Sequence, residues 1–568
     1  MHWTPGASMT NTLLSVNNLT TVIKGEHENK TVVGGISFSI ATGETFALVG
    51  ESGSGKSITA FSITRLLPAA ASVVDGQVLF EGSDLLRMTE AQMRRIRGTG
   101  ISMIFQEPMN SLNPVMKIGK QIAEAVLNAN PNTSKAEVNA EVISLLNLVR
   151  IEQPEARQEE YPHQFSGGMR QRVMIAIALA GEPKLLIADE PTTALDVTIQ
   201  AEVLHLIADI QKKRKMAVLL ITHDLGVVHQ IADRIGVMRH GQLLEVSPKN
   251  TFFTAPKHAY SQQLFDAIPS IAKRGQRLSS PDDGQAASHS SAELTVNRNH
   301  ETILTLTDVK TYFPIKQGIF KRTVGHVKAV DGVSLALKQG HTLALVGESG
   351  SGKSTLAKTV IRLLDPYAGH IAFAGRDIST IGYRAMNALR TDLQIIFQDP
   401  YSSMNPRMLV RDILSEGMIA LGIKKNTSER EARLIELLTL VGLDAGSLNR
   451  YPHQFSGGQR QRIAIARALA VDPKVIVCDE PTSALDVSVQ AQVLNLLKDL
   501  QERLGLAYLF ITHNISVVGY MADDVAVMYK GKIVEEGPVN QVLLQPEHEY
   551  TRTLMSAVPD LYRASSSS

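Results

Sequence analysis

Gly50-Glu51-Ser52-Gly53-Ser54-Gly55-Lys56-Ser57 follows the apolar run at 45–49, and the same eight letters return as Gly347-Glu348-Ser349-Gly350-Ser351-Gly352-Lys353-Ser354 after the run at 342–346. An apolar strand that breaks into glycines and restarts as a helix at a lysine aims backbone N–H groups and a helix N-terminus at one spot. That arrangement binds phosphate. A side chain at those glycines would block close approach. Lys56 and Lys353 are expected to reach the β- and γ-phosphates, with Ser57 and Ser354 as Mg²⁺ ligands. ATP and Mg²⁺ are therefore the expected ligands, twice over. Two strand-flanked copies make a chance match negligible.

Outward from the loops, the chain repeats itself. Gln106 recurs as Gln398, Ser166 as Ser456, Asp189 as Asp479 and His223 as His513, in the same order. The repeat is far longer than any solenoid unit, so a whole domain is duplicated. The join, 272–301, is rich in small and polar residues, among them Ser279-Ser280-Pro281. It reads as a flexible linker spanning about 30 Å. The expected domains are 1–271 and 302–568. Each half reads as α/β: the runs at 185–188, 475–478, 218–222 and 508–512 suit buried parallel strands. Between Gln106 and Ser166 the period turns helical, with Ser134 as a cap and Val138, Val142, Leu145 and Val149 on one face. Leu434, Leu438 and Val441 repeat that face in the second half.

Composition bounds the rest. Hydrophobic residues make up 44% and charged residues 20% of 568, and the net charge is +1. This suits large soluble cores and gives no global basic field for nucleic acid. No apolar stretch approaches the roughly 20 residues of a spanning helix, and the N-terminus does not read as a signal peptide. The single cysteine, Cys478, excludes a disulfide framework and cysteine clusters. It falls in a core strand, where inert packing is expected.

Asp189-Glu190 and Asp479-Glu480 close apolar strands downstream of the phosphate loops. Such a pair divides labour: the Asp orients Mg²⁺ and its waters, the Glu polarises the attacking water. Phe165-Ser166-Gly167-Gly168-Met169 and Phe455-Ser456-Gly457-Gly458-Gln459 then resemble the signature of ABC transporter ATPases. The resemblance covers both halves nearly end to end. It implies two P-loop NTPase domains, each a parallel-sheet core with an antiparallel β portion and an inserted helical subdomain. It makes Gln106 and Gln398 residues that touch Mg²⁺ and sense a permease, His223 and His513 γ-phosphate contacts, and Ala194-Leu195-Asp196 and Ala484-Leu485-Asp486 segments that communicate between domains. Family members pair head to tail. The first site would then use Lys56, Glu190 and His223 with Ser456 and Gly458; the second, Lys353, Glu480 and His513 with Ser166 and Gly168.

Each half departs from the pattern somewhere. Phe313 stands where the family stacks adenine on an aromatic, but the first copy has Ile23 there. Met169 replaces the glutamine that Gln459 supplies, and Asn514 stands where the first copy has Asp224. Modest inequality between the sites is the expectation.

Three features narrow the resemblance. Gln106-Glu107-Pro108 with Asn113-Pro114, and Gln398-Asp399-Pro400 with Asn405-Pro406-Arg407, resemble peptide importers. So do Tyr161-Pro162-His163-Gln164 and Tyr451-Pro452-His453-Gln454. The tails from Pro256-Lys257-His258-Ala259-Tyr260 to Pro269, and from Pro546-Glu547-His548-Glu549-Tyr550 to Pro559, are similar to the C-terminal extension of oligopeptide, dipeptide, nickel and glutathione import ATPases. The resemblance implies two permease subunits and a solute-binding protein as partners, with the chain peripheral on the cytoplasmic face of a bacterial inner membrane. Cargo is expected to be peptides or glutathione rather than nickel. A ribosome-acting ABC ATPase is the alternative, but the linker lacks the long charged helix such factors carry. A DNA-repair ABC ATPase would need zinc modules, which the cysteine count excludes.

Overall fold

The computed structural model describes residues 11–25, 28–106, 111–192, 196–279, 301–317, 320, 322–423, 426–483 and 485–558. The chain divides into two units, Met1–Gln262 and Gln263–Ser568.

In the first unit, a six-stranded sheet runs in the order Gln242–Pro248, Arg234–Arg239, Thr45–Val49, Ala217–Thr222, Leu185–Asp189, Ile101–Ile104. All neighbours pair in parallel except the first two, which form an antiparallel edge. The second unit repeats the order with Lys532–Pro538, Asp524–Tyr529, Thr342–Val346, Ala507–Ile511, Val475–Asp479 and Leu393–Ile396. Each unit adds a four-stranded antiparallel sheet led by long strands, Thr12–Ile23 with Lys30–Ala41 and Thr302–Gln317 with Arg322–Lys338. The expected strands are present with end shifts of one residue.

The central strands are apolar without alternation because both faces are covered. Val475 and Val477 pack toward the antiparallel sheet, with Leu304, Leu343 and Ile371. Ile476 and Cys478 point the opposite way, into a core shared with helices Val410–Ala420, Thr427–Leu440 and Gly457–Leu469. Cys478 is fully buried, and burial pushes its thiol far above the ordinary range, so it is unreactive packing as expected. In the first unit, Ser134 starts helix Lys135–Leu148: its hydroxyl accepts from Glu137 N–H, and the Glu137 carboxylate accepts from Ser134 N–H at 2.9 Å. Val138, Val142, Leu145 and Val149 are all buried.

The join departs from expectation. Residues 272–278 do not behave as free linker; they lie on the body of the second unit. Lys273 Nζ caps the end of helix Ala259–Asp266, donating to the carbonyls of Phe265, Asp266 and Ile268 at 2.9–3.1 Å. Arg274 pairs with Asp523 at 2.7 Å and Arg277 with Asp499 at 3.0 Å. Leu278 is 1% exposed, and its backbone exchanges hydrogen bonds with the Asn495 amide at 3.1 and 2.8 Å. Tyr520 Oη donates to Gln276 O at 2.9 Å. A composition dominated by small polar residues hides this, because one leucine and two arginines are enough to hold the segment. Expected linker residues 280–300 lie outside the described residues.

Leu278→Ala is therefore expected to loosen residues 274–278 selectively. Deleting a buried leucine costs about 2–5 kcal/mol in a full core. Even about 1.4 kcal/mol at this edge means a tenfold larger open population. Tryptic cleavage after Arg274 and Arg277, followed by mass spectrometry, checks it; unchanged rates would show that Leu278 does not hold the segment.

Candidate nucleotide-binding site

Both phosphate loops are shaped first by the protein's own backbone. Gly50 has φ 154°, and a Cβ there would lie 2.2 Å from Met238 O; at Gly347 the clash is with Met528 O, also at 2.2 Å. Gly55 and Gly352, at φ 102° and 109°, begin helices Lys56–Thr64 and Lys353–Val360. These glycines are needed for closure of the loop on the sheet as well as for a ligand's approach. Lys56 and Lys353 are each 5% exposed. Their ammonium groups fold into the loop: Lys56 Nζ donates to Gly50 O and Glu51 O, and Lys353 Nζ to Gly347 O and Glu348 O, at 2.7 and 2.8 Å in both copies. A buried cation resting on neutral carbonyls of a glycine loop at a helix start suits an anion.

The acidic pairs converge on these loops. Ser57 Oγ donates to Asp189 Oδ1, and Ser354 Oγ to Asp479 Oδ1, at 3.0 Å each. Burial pushes the Asp189 carboxyl up to about 6, with the Glu190 charge adding to it against the Ser57 hydrogen bond. Asp479 is raised by burial in the same way. Glu190 and Glu480 follow with φ 48°, a left-handed turn that takes each out of its strand. Gln106 Nε2 donates to Glu190 Oε2 at 2.8 Å, and His223 Nδ1 lies 3.2 Å from Glu190 Oε1. Gln398, Glu480 and His513 repeat this at 2.8 and 3.2 Å. Burial alone would raise Glu480, but His513 and the Lys353 charge hold it below the ordinary glutamate range.

The structure thus brings together Lys56, Ser57, Gln106, Asp189, Glu190 and His223 in one unit, and Lys353, Ser354, Gln398, Asp479, Glu480 and His513 in the other. Oxygen donors from Ser57, Gln106 and Asp189, and their counterparts, fit a hard cation such as Mg²⁺. The signature residues serve their own helix starts. Ser166 and Ser456 cap helices Gly167–Leu179 and Gly457–Leu469. Gly168 and Gly458 admit a neighbouring helix: a Cβ would meet Ile199 at 2.5 Å or Val489 at 2.3 Å. Phe313 is 40% exposed, while adjacent Tyr312 turns away, its hydroxyl bonded to Asp331 and its ring stacked on Tyr367 at 4.7 Å. Ile23 is half-buried. Residues 107–110, Ala194, Leu195 and Ala484 lie outside the described residues.

Two roles were not read from the sequence. Asp224 and Asn514 both cap the helix after the histidine, accepting from Gly226 N–H at 2.8 Å and Ser516 N–H at 3.0 Å. The substitution between copies preserves that role. Glu245 and Glu535 anchor the tails. Glu245 accepts from the N–H groups of Lys257 and His258 and from Ser261 Oγ at 2.7–3.1 Å. Burial raises its carboxyl, but these hydrogen bonds together hold it below the usual range. Glu535 accepts from Glu547 and His548 N–H at 2.9 and 3.1 Å. The signal was a glutamate recurring at a fixed distance before each Pro-x-His-x-Tyr.

Comparison with known proteins agrees with this geometry. The ABC transporter family matches residues 33–193 and 330–483, and the family of oligopeptide/dipeptide transporter C-terminal regions matches 244–292 and 534–567. The peptidoglycan transport ATP-binding protein YejF of Agrobacterium fabrum is 47% identical over 96% of both chains. Glutathione import ATP-binding proteins GsiA of Pectobacterium atrosepticum and Salmonella choleraesuis are 46% and 47% identical, over 96% of this chain and 89% of theirs. With two such cassettes, each ending in the same C-terminal region, the chain belongs to the ABC transporter family as a double-cassette ATPase.

Proposed function

We propose that the chain hydrolyses ATP at two sites and so powers an importer for peptide-type cargo, di- or oligopeptides or glutathione. The repeated Gln–Glu–His cluster beside a phosphate loop is the observation that carries the reading. Each glutamate carboxylate is held from two sides, by an amide N–H and an imidazole, at the end of a strand that leads into the loop's own sheet. A carboxylate fixed there is suited to polarise a water for attack on the terminal phosphate. Ser57, Asp189 and Gln106, with Ser354, Asp479 and Gln398, would hold Mg²⁺, which offsets phosphate charge when bound.

By family analogy each ATP is completed by the other cassette's signature, Ser456 and Gly458 for the first and Ser166 and Gly168 for the second. ATP would then favour a closed pairing, and hydrolysis would release it; such a shift requires tighter ATP binding to the closed state. Two permease subunits and a solute-binding protein are the proposed partners. No helix among the described residues is long and apolar enough to cross a membrane; by family analogy the chain would act from the cytoplasmic face of the inner membrane through those permeases. The duplicated C-terminal region and relatives named for glutathione and peptidoglycan transport favour a cargo with peptide character. The ribosome-acting alternative gains no support from relatives of this kind.

Three outcomes are expected. Glu190→Gln combined with Glu480→Gln should lower phosphate release at least about a hundredfold while ATP stays bound; undiminished turnover would refute the assigned base. Asp189→Asn should abolish Mg²⁺-dependent turnover at the first site yet raise the melting temperature of nucleotide-free protein above pH 6. The sign follows from a folded carboxyl near 6 against an ordinary value of 3.8. The folded state keeps a proton that the unfolded state loses, so this group's contribution to stability falls as pH rises through that window. The advantage of Asn is then largest above pH 6, up to about 3 kcal/mol, and vanishes near pH 4. Thermal melts from pH 4 to 8 read it. Finally, deleting the gene should abolish uptake of labelled di- or tripeptides or glutathione and spare nickel; the reverse pattern would reassign the cargo.

A further inference from the structure

The second cassette's C-terminal region reaches its phosphate loop. Glu348 N–H, on the first limb of the loop, donates to Tyr550 Oη at 3.0 Å. Tyr550 lies on helix Glu549–Ser556, within the segment matched as an oligopeptide/dipeptide transporter C-terminal region. Four contacts fix its position. Its ring packs on that of Tyr529 with centroids 4.1 Å apart. Glu535 accepts from Glu547 and His548 N–H, and His548 Nδ1 accepts from Tyr550 N–H at 3.1 Å, so the helix start is tied down. Tyr529 itself ends the strand whose Met528 carbonyl touches Gly347, and Gly531 N–H, in the following turn, donates to Ser351 O at 2.9 Å.

We propose that Tyr550 is a positioning residue for nucleotide binding: through its hydroxyl, the C-terminal extension holds the Gly347–Ser354 loop in its phosphate-binding shape. The deduction rests on the reading that this loop binds ATP. Its physical basis is the adjacency of Glu348 to the carbonyls that seat Lys353 Nζ, Gly347 O and Glu348 O itself. Rotation of the Glu348 peptide would lose the Tyr550 bond and move a lysine acceptor together. The extension, which otherwise reads as a helix packed on its own domain, thereby bears on ATP affinity without touching ATP. The first copy keeps the tyrosine as Tyr260, 2% exposed, but stacks it under the Arg239 guanidinium at 4.6 Å where the second uses Tyr529.

The test uses the full chain carrying Lys56→Ala, so that a fluorescent ATP analogue reports the second site. Adding Tyr550→Phe keeps the ring and removes one hydrogen bond. It should raise the Kd about three- to tenfold, the usual worth of such a bond. Turnover at saturating ATP should stay within about twofold, and the nucleotide-free melting temperature should be nearly unchanged. Tyr529→Leu, which removes the supporting ring, should shift the Kd in the same direction. An unchanged Kd for Tyr550→Phe, or a lower melting temperature and lower turnover at unchanged Kd, overturns the proposal. Adding Lys353→Ala to the same background separates the two readings. Binding that survives it means the loop is not the nucleotide site; binding lost there but indifferent to Tyr550→Phe means only the positioning role is wrong.

Discussion

In each cassette the first glycine of the phosphate loop lies against a backbone carbonyl of a strand from much later in the chain. The clearance, 2.2 Å from an imagined Cβ to Met238 O or Met528 O, leaves space for a hydrogen only. That contact fixes the loop relative to the sheet. The turn after the same strand then holds the loop's far limb, through Gly241 N–H to Ser54 O and Gly531 N–H to Ser351 O. The lysine seat, the helix start and the serine that meets the aspartate all inherit their places from this closure. The strand that supplies the carbonyl leads directly into the antiparallel edge and the C-terminal region. In the second cassette loop and tail are therefore parts of one packed object, and the tail's contact with the loop through Tyr550 is a consequence of chain order.

The parallel core, its inserted helices and the loop were legible because each has a strong local signature. Five consecutive buried residues, a glycine loop and a capped amphipathic helix such as 135–148 leave little choice of structure. The convergence of Gln106, Glu190 and His223 was legible only by resemblance, since no local pattern says that residues so far apart share one carboxylate. The segment 272–278 was misread for an energetic reason. Composition averages over residues, whereas docking depends on particular ones: Leu278 in a core, Arg274 and Arg277 on facing acids, and an Asn495 amide that satisfies both backbone groups of Leu278. The left-handed backbone of Glu190 and Glu480 was equally invisible, because glutamate has no preference for that region and the surrounding strand ends impose it.

The two copies differ in ways that are small singly and point to different parts of the site. Gln459 Oε1 accepts from Ser456 N–H at 3.1 Å and completes a reciprocal cap, which Met169 lacks the side-chain oxygen to do. The helix start at Ser166 is accordingly the less constrained of the two. Asp224 accepts from Gln200 at 3.1 Å, whereas in the second copy the equivalent glutamine, Gln490, donates to Thr482. Phe313 offers an exposed ring where Ile23 offers a smaller aliphatic surface. None of these touches the glutamates or the lysines of the two sites, whose bonds to loop carbonyls, glutamine amide and imidazole recur at the same distances in both copies. Inequality between the sites would therefore be one of affinity and timing, with the chemistry shared.

That shared chemistry rests on neighbouring residues with opposite electrostatic surroundings. In the second cassette Asp479 is raised and Glu480 lowered, although they are adjacent in the chain. The aspartate ends a buried strand, where burial outweighs the Ser354 hydrogen bond and the charges of Lys358 and Lys353. The glutamate turns out of the strand, meets an amide and an imidazole, and keeps its charge. Environments that push two carboxylates apart in this way assign them different work. The one whose charge is disfavoured by burial is suited to a cation, and the one already stabilised as an anion is suited to hold a water's proton. Asp189 shows the same rise in the first cassette, and Glu190 there makes the same left-handed turn and the same bonds to a glutamine amide and an imidazole, so the geometry that separates the pair was duplicated with the domain.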